Sequence, residues 1–130
     1  MDLNQITLGA RDFEASVGFY KLLGLRPIVM SEGRYARFEL PTGSATLSLD
    51  HDPDYRAGGA TIYFEVEDVD SRYLDLREAG VTFDTPPTDE PWLWREARLR
   101  DPAGNRLCLF HGGGNRRFPP WRIDQSNSAH

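Results

Sequence analysis

The feature that most limits what this chain can fold into is an internal repeat. Residues 5–12 read QITLGARD, and residues 61–68, 56 positions later, read TIYFEVED. Ile6, Leu8 and Ala10 alternate in the first copy, as Ile62, Phe64 and Val66 do in the second. That is the period of a strand with one buried face. Each copy ends on an aspartate, Asp12 or Asp68, a preferred helix N-cap whose carboxylate accepts from unpaired backbone N–H groups. Beyond the caps, Phe13, Val17, Tyr20 and Leu23 match Val69, Tyr73, Leu76 and Ala79, one apolar stripe per helix. Both helices stop at a glycine, Gly24 or Gly80, followed by Leu25 or Val81, the chemistry of a left-handed C-terminal cap.

The repeat continues after a slip. Residues 36–49, ARFELPTGSATLSL, lie against residues 97–109, ARLRDPAGNRLCL, with one extra residue in the first copy. Ala36-Arg37 pairs with Ala97-Arg98, Pro41 with Pro102 and Gly43 with Gly104. The run from Asp101 to Asn105 carries turn residues, Pro to fix φ and Gly or Asn to tolerate positive φ. Between helix and hairpin sit the β-prone stretches RPIVM (26–30) and VTFD (81–84). Each half therefore reads strand–helix–strand–strand–strand. Two copies are too few for a solenoid. The expected fold is α+β: two βαβββ modules, an internal duplication, forming curved mixed sheets around a cleft with the helices outside. Module one covers about residues 3–50, a linker about 51–59 and module two about 60–110. Residues 1–110 then make a single paired-module domain, and 111–130 a C-terminal tail expected to be partly disordered over QSNSAH (125–130).

Composition agrees and excludes some functions. The chain has 130 residues, 39% hydrophobic and 27% charged, as one globular domain would. No apolar run reaches the length of a membrane span, so no membrane partner is expected. The stretch MDLNQITLG lacks the basic and apolar regions of a secretory signal. A single cysteine excludes an internal disulfide and fits a reducing compartment, so the expected location is cytoplasmic. A net charge of −5 argues against nucleic acid, which wants a basic face.

Alternation also sorts the two faces of each sheet. With Ile6, Leu8, Leu47, Leu49, Ile62, Phe64, Ala97, Leu99, Leu107 and Leu109 against the helices, the opposite face is defined. It carries Gln5, Tyr35, Arg37, Ser48, Thr61, Tyr63, Glu96, Arg98 and Cys108, together with Thr7, Gly9, Glu39, Thr46, Glu65, Arg106 and Phe110. Such a surface is too polar for a dry core. Two readings stay open: an ordinary solvated sheet face, or the wall of a ligand pocket if the sheets curl into a cup. Trp92 and Trp94 lie in the Pro-bounded segment DEPWLWREARLR (89–100). These two rings either stack on a planar or cationic ligand or bury at a subunit contact. Cys108 reads as a small filler side chain, with nucleophile as the alternative.

The phrases ITLGARDFEASVGFYKLLGL (6–25), IYFEVEDVDSRYLDLREAGV (62–81) and EARLRDPAGNRLCLF (96–110) resemble the vicinal oxygen chelate superfamily. That superfamily includes glyoxalase I, extradiol dioxygenases and bleomycin-resistance proteins. Asp12, Ser16, Phe19, Tyr20, Leu23 and Gly24 carry the resemblance in one half; Asp101, Pro102, Gly104 and Asn105 carry it in the other. It implies a metal between two βαβββ modules, held by His, Gln or Glu on opening and closing strands, and a homodimer whose cleft draws on both chains. The four metal positions fall on Gln5, Thr61, Ser48 and Cys108. Only Gln5 is of a type used as a ligand in the family. An amide and two hydroxyls compensate little of a dication's charge, so the expectation is a divergent member with no metal and no cofactor. His111, just past the last strand, is an alternative ligand or base.

The expected function is metal-free small-molecule binding of the bleomycin-resistance type. The ligand would meet Gln5, Tyr35, Arg37, Ser48, Thr61, Tyr63, Trp94, Glu96, Arg98 and Cys108 in the cleft between modules. Two alternatives stay open. One is a glyoxalase-like metal-dependent lyase, isomerase or dioxygenase. The other is a metal-independent enzyme on the same fold, using Cys108, His111 or a Glu65 or Glu96 carboxylate as a base.

Overall fold

The structure is a computed structural model and describes residues 1–123; the disorder expected over 125–130 lies outside the described residues. The first module runs β1 (Gln5–Ala10), α1 (Phe13–Leu22), β2 (Arg26–Ser31), β3 (Tyr35–Glu39) and β4 (Thr46–His51). The second runs β5 (Thr61–Glu65), α2 (Val69–Glu78), β6 (Thr88–Asp89), β7 (Arg95–Arg100) and β8 (Arg106–His111), followed by one helical turn, α3 (Gly114–Arg117). The order is βαβββ twice. In the first sheet the strands lie β1-β4-β3-β2, and in the second β5-β8-β7-β6, which is the same arrangement. The opening and closing strands of each module pair in parallel and the rest antiparallel.

Matched residues make matched caps. Asp12 accepts from Ala15 N at 3.1 Å and Asp68 from Ser71 N at 3.0 Å. At the other ends, Gly24 N donates to Lys21 O and Leu25 N to Tyr20 O, just as Gly80 N donates to Arg77 O and Val81 N to Leu76 O. Both glycines sit at positive φ, +97° and +101°, and this paired bonding closes the last carbonyls of each helix.

The halves differ in two respects. RPIVM is a strand as expected, with a bulge between Pro27 and Val29. VTFD is not: Phe83 alone bridges to Leu99, and the pairing strand is the two-residue β6 further on. Asp84 N and Thr85 N both turn onto Arg98 O, and Pro86 and Pro87 offer no N–H to continue a ladder. The stripe on α2 is also thinner than its counterpart. Only Val69 and Leu76 are buried on it; Tyr73 is half-buried against the Phe83 ring at 4.7 Å, and Ala79 is exposed.

One core runs through both modules on their helix sides. Tyr20, Phe38, Leu47 and Leu49 of the first join Leu76, Val81, Leu99, Leu107 and Leu109 of the second. Each such side chain contributes about 1.5–3 kcal/mol on burial. A buried polar junction sets how the halves meet. Tyr20 OH donates to Asp101 Oδ2 at 2.6 Å, and burial, then the Asp101 charge, push its phenol far above the ordinary value. Asn105 Nδ2 reaches the same oxygen at 2.8 Å, while Tyr55 OH donates to Asn105 Oδ1 at 2.6 Å. The Tyr55 ring in turn lies where a side chain at position 9 would stand, 1.9 Å from a Cβ placed there, so the position requires glycine. Among the described residues no helix is long and apolar enough to cross a membrane.

Candidate functional site

Strand register converts the repeat into two matched faces. On the first sheet the polar rows are Glu39–Thr46–Gln5, Arg37–Ser48–Thr7 and Tyr35–Asp50–Gly9. On the second they are Arg100–Arg106–Thr61, Arg98–Cys108–Tyr63 and Glu96–Phe110–Glu65. The middle rows put Ser48 and Cys108 at equivalent places, each beside an arginine.

The first face is a closed hydrogen-bond network. Gln5 Nε2 donates to Ser48 Oγ at 2.7 Å, and Tyr35 OH lies 2.7 Å from the same oxygen. Arg37 Nε donates to Tyr35 OH at 3.0 Å, and the Thr46 hydroxyl donates to Gln5 Oε1. Ser48 is fully buried. Its hydroxyl is satisfied by protein groups, as a buried oxygen must be.

The second face is aromatic around a buried carboxylate. Glu96 is 2% exposed. Its Oε1 accepts from Arg98 at 2.9 Å and its Oε2 from the Trp92 indole N–H at 2.7 Å. Arg98 also reaches Tyr63 OH at 3.4 Å and lies over its ring. Tyr63, Trp94 and Phe110 pack together, with the Trp94 and Phe110 rings 4.6 Å apart and Tyr63 edge-on to both. Cys108 is wholly buried; burial, and then the neighbouring Glu96 carboxylate, push its thiol up to about 12. The thiol is therefore protonated near neutral pH and makes a poor nucleophile. At the end of this face Glu65 Oε2 accepts from Gly112 N and Gly113 N, both at 2.9 Å. Burial works against its ionisation, but those two N–H groups, with His111 and Arg116 nearby, hold the carboxyl below the ordinary glutamate value. His111 is tied to Val66 O at 2.9 Å.

The structure thus brings the expected residues together in two groups. Gln5, Tyr35, Arg37 and Ser48 form one; Tyr63, Trp94, Glu96, Arg98 and Cys108 form the other. Thr61 stands apart, in the row of Arg106 and Arg100. Among the described residues no hydrogen bond, ion pair or ring contact joins the two groups. Two open surface depressions among the described residues lie elsewhere, one lined by Gly24, Arg26, Glu39, Leu40 and Pro41, the other by Tyr73, Arg77 and the 80–83 stretch.

Trp92 and Phe110 belong to the second group and were not among the expected ligand contacts. Phe110 was legible from strand alternation. Trp92 was legible as a loop aromatic, but its fold-back onto Glu96 was not, because that comes only through the turn at Leu93, a non-glycine residue at φ +69°. That turn is closed by Leu93 N to Glu90 O at 2.9 Å and Glu90 N to Trp94 O at 2.8 Å. Holding a leucine in the left-handed region costs about 1–3 kcal/mol.

A family-type metal does not fit these residues. Gln5 and Ser48 spend their polar atoms on each other and on Tyr35 and Thr46. Thr61 offers only a neutral hydroxyl, and Cys108 is wholly buried beside the Glu96 carboxylate, with no imidazole, carboxylate or second thiol at the other three positions to share a dication. Among the described residues no group of three or more His, Cys, Asp or Glu side chains is placed to hold a metal ion.

Comparisons with known proteins bear on the family. A family model described as the Glyoxalase/Bleomycin resistance protein/Dioxygenase superfamily matches residues 2–109. The uncharacterized protein YraH of Bacillus subtilis (strain 168) is 36% identical over 128 residues, covering 85% of this chain and 98% of that protein. A glyoxalase/bleomycin resistance protein/dioxygenase from Nocardioides superposes with a TM-score of 0.74 at 26% identity, over 95% of this chain and 90% of that one. A bleomycin-binding protein complexed with bleomycin gives a TM-score of 0.68 at 20% identity, over 87% and 99% of the two chains, a likeness of fold alone. With the duplicated βαβββ modules and a family match across nearly the whole chain, the protein belongs to the glyoxalase/bleomycin resistance protein/dioxygenase superfamily.

Proposed function

We propose that this chain is a metal-free small-molecule binding protein of the bleomycin-resistance type, and that it works as a homodimer. In this reading the Gln5–Ser48 face of one copy meets the Glu96–Cys108 face of the other, and the ligand lies between them. The observation that carries the reading is the state of the donors at the four metal positions. The Gln5 amide and the Ser48 hydroxyl are bonded to protein, and Thr61 and Cys108 add no carboxylate or imidazole. What remains on the faces is suited to recognition: three packed rings, two arginines and a buried carboxylate, an apolar wall with a few fixed polar groups. The bleomycin-bound neighbour of the same fold supports the ligand class.

Two observations support the second copy. Among the described residues no hydrogen bond, ion pair or ring contact joins the polar faces of one chain, so in this reading each is half a site. Apolar side chains also stand in solvent on the edge strand β2, where Ile28, Val29 and Met30 are exposed in succession, and at Phe118, Trp121 and Ile123. The lone buried thiol is compatible with a cytoplasmic location.

A thermal-shift screen of aromatic antibiotics and metabolites, run in the presence of a chelator, tests the reading. Hits are expected to raise the melting temperature and to be recovered chemically unchanged after long incubation. Conversion of a hit to product, or stabilisation that appears only when a dication is added, would establish an enzyme instead.

A further inference from the structure

Trp92 is an unusual partner for Glu96. The carboxylate is 2% exposed, whereas the tryptophan that serves its second oxygen is 41% exposed and sits at the tip of a loop. That loop turns through Leu93 at φ +69°, the one non-glycine residue with positive φ among the described residues. A strained, half-solvated loop thus supplies a charge-assisted hydrogen bond to an otherwise buried anion. Swinging the loop away relieves the strain at Leu93, hands the Leu93–Glu90 and Glu90–Trp94 backbone bonds to water, and leaves a buried carboxylate oxygen without a donor as its chief cost. Any incoming group that donates to that oxygen cancels the cost.

We infer that Trp92 is a displaceable gate whose indole N–H holds the place of a ligand N–H on Glu96 Oε2. The ligand class is a flat, uncharged aromatic ring system with an N–H donor on its edge. This deepens the small-molecule reading above and rests on it. Three features set the class. Exposed Tyr63 and half-buried Trp94, the latter packed on the buried Phe110 ring, lie on the same face and offer ring surface suited to flat rings. Arg98 already pairs with Glu96 Oε1 at 2.9 Å, so the carboxylate is balanced, and a cationic ligand would meet the guanidinium. An anionic ligand would meet the carboxylate itself. A neutral N–H donor is left, which is the chemistry the indole displays.

Calorimetric titration of the full chain with indole and with 1-methylindole, which keeps the ring and lacks the donor, tests the inference. Wild type is compared with Trp92→Ala and with Trp92→Phe, which retains a ring and loses the N–H. Melting curves verify that each variant is folded, and Trp92→Phe carries the comparison if Trp92→Ala is not. Wild type is expected to bind indole, the variants to bind it at least about tenfold tighter because the internal competitor is gone, and 1-methylindole to bind at least about tenfold more weakly throughout. The Trp92 indole N–H resonance should shift upfield as indole is added to wild type. Equal affinities for the two probes would overturn the donor role. Unchanged indole affinity in the folded Trp92 variants, or indole binding confined to them, would overturn the gate. If the screen yields ligands whose affinity ignores Trp92, the binding reading stands and the gate falls. If neither the probes nor the screen gives binding, both fall.

Discussion

At the scale of single residues, Ser48 and Cys108 show how one position can be satisfied in two ways. Both sit on the closing strand of their module beside an arginine, and both are fully buried. The serine is held by Gln5 and Tyr35. The cysteine instead faces Glu96, and a thiolate there would put a second negative charge against a buried carboxylate. Its proton is retained for that reason and because of burial. A thiol pushed up to about 12 is almost wholly protonated at pH 8. Labelling of Cys108 by an aromatic disulfide reagent at pH 8 is therefore expected to be far slower than that of a free thiol, and to follow unfolding as denaturant is added. Fast labelling of the folded chain would show that the thiol is activated, and would return the nucleophile alternative.

At the scale of elements, the duplication makes a quantitative demand. Gly24 and Gly80 terminate their helices with the same two hydrogen bonds and nearly the same φ. A Cβ at position 80 meets nothing within 4 Å, and at position 24 its nearest neighbour is Pro41 at 3.6 Å, so the penalty for alanine is conformational at both. Gly24→Ala and Gly80→Ala are each expected to cost about 1 kcal/mol, seen as a fall of about 3–5 °C in melting temperature. A neutral result at either cap would break the equivalence of the halves. These caps, the strand faces and the Asp101 turn were readable because each depends on contacts a few residues apart. The missed features depend on what the chain meets later. VTFD has strand propensity, yet Asp84 N and Thr85 N are drawn to Arg98 O and two prolines follow. Likewise the grouping of Gln5 with Ser48, and of Glu96 with Cys108, follows from alternation plus register. The fold-back of Trp92 onto Glu96 needs the backbone angle of Leu93, which no local pattern announces.

At the scale of the whole molecule, the two modules share one apolar core on their helix sides and are locked by the Tyr20–Asp101–Asn105–Tyr55 junction. Among the described residues no hydrogen bond, ion pair or ring contact joins their polar faces. A chain built this way is expected to pair with a copy of itself, and light scattering after gel filtration should give about twice the 14.8 kDa chain mass. A monomer at micromolar concentration would remove the two-chain cleft and leave two separate faces. The central claim concerns what those faces hold. In the family pattern the opening and closing strands grip a dication; here the same positions carry an amide, two hydroxyls and a protonated thiol. Elemental analysis of protein dialysed against zinc, manganese, nickel and iron, then passed through a desalting column, tests this most directly. The account predicts far less than one bound metal per chain. One equivalent retained, and lost on changing Gln5 to alanine, would contradict it.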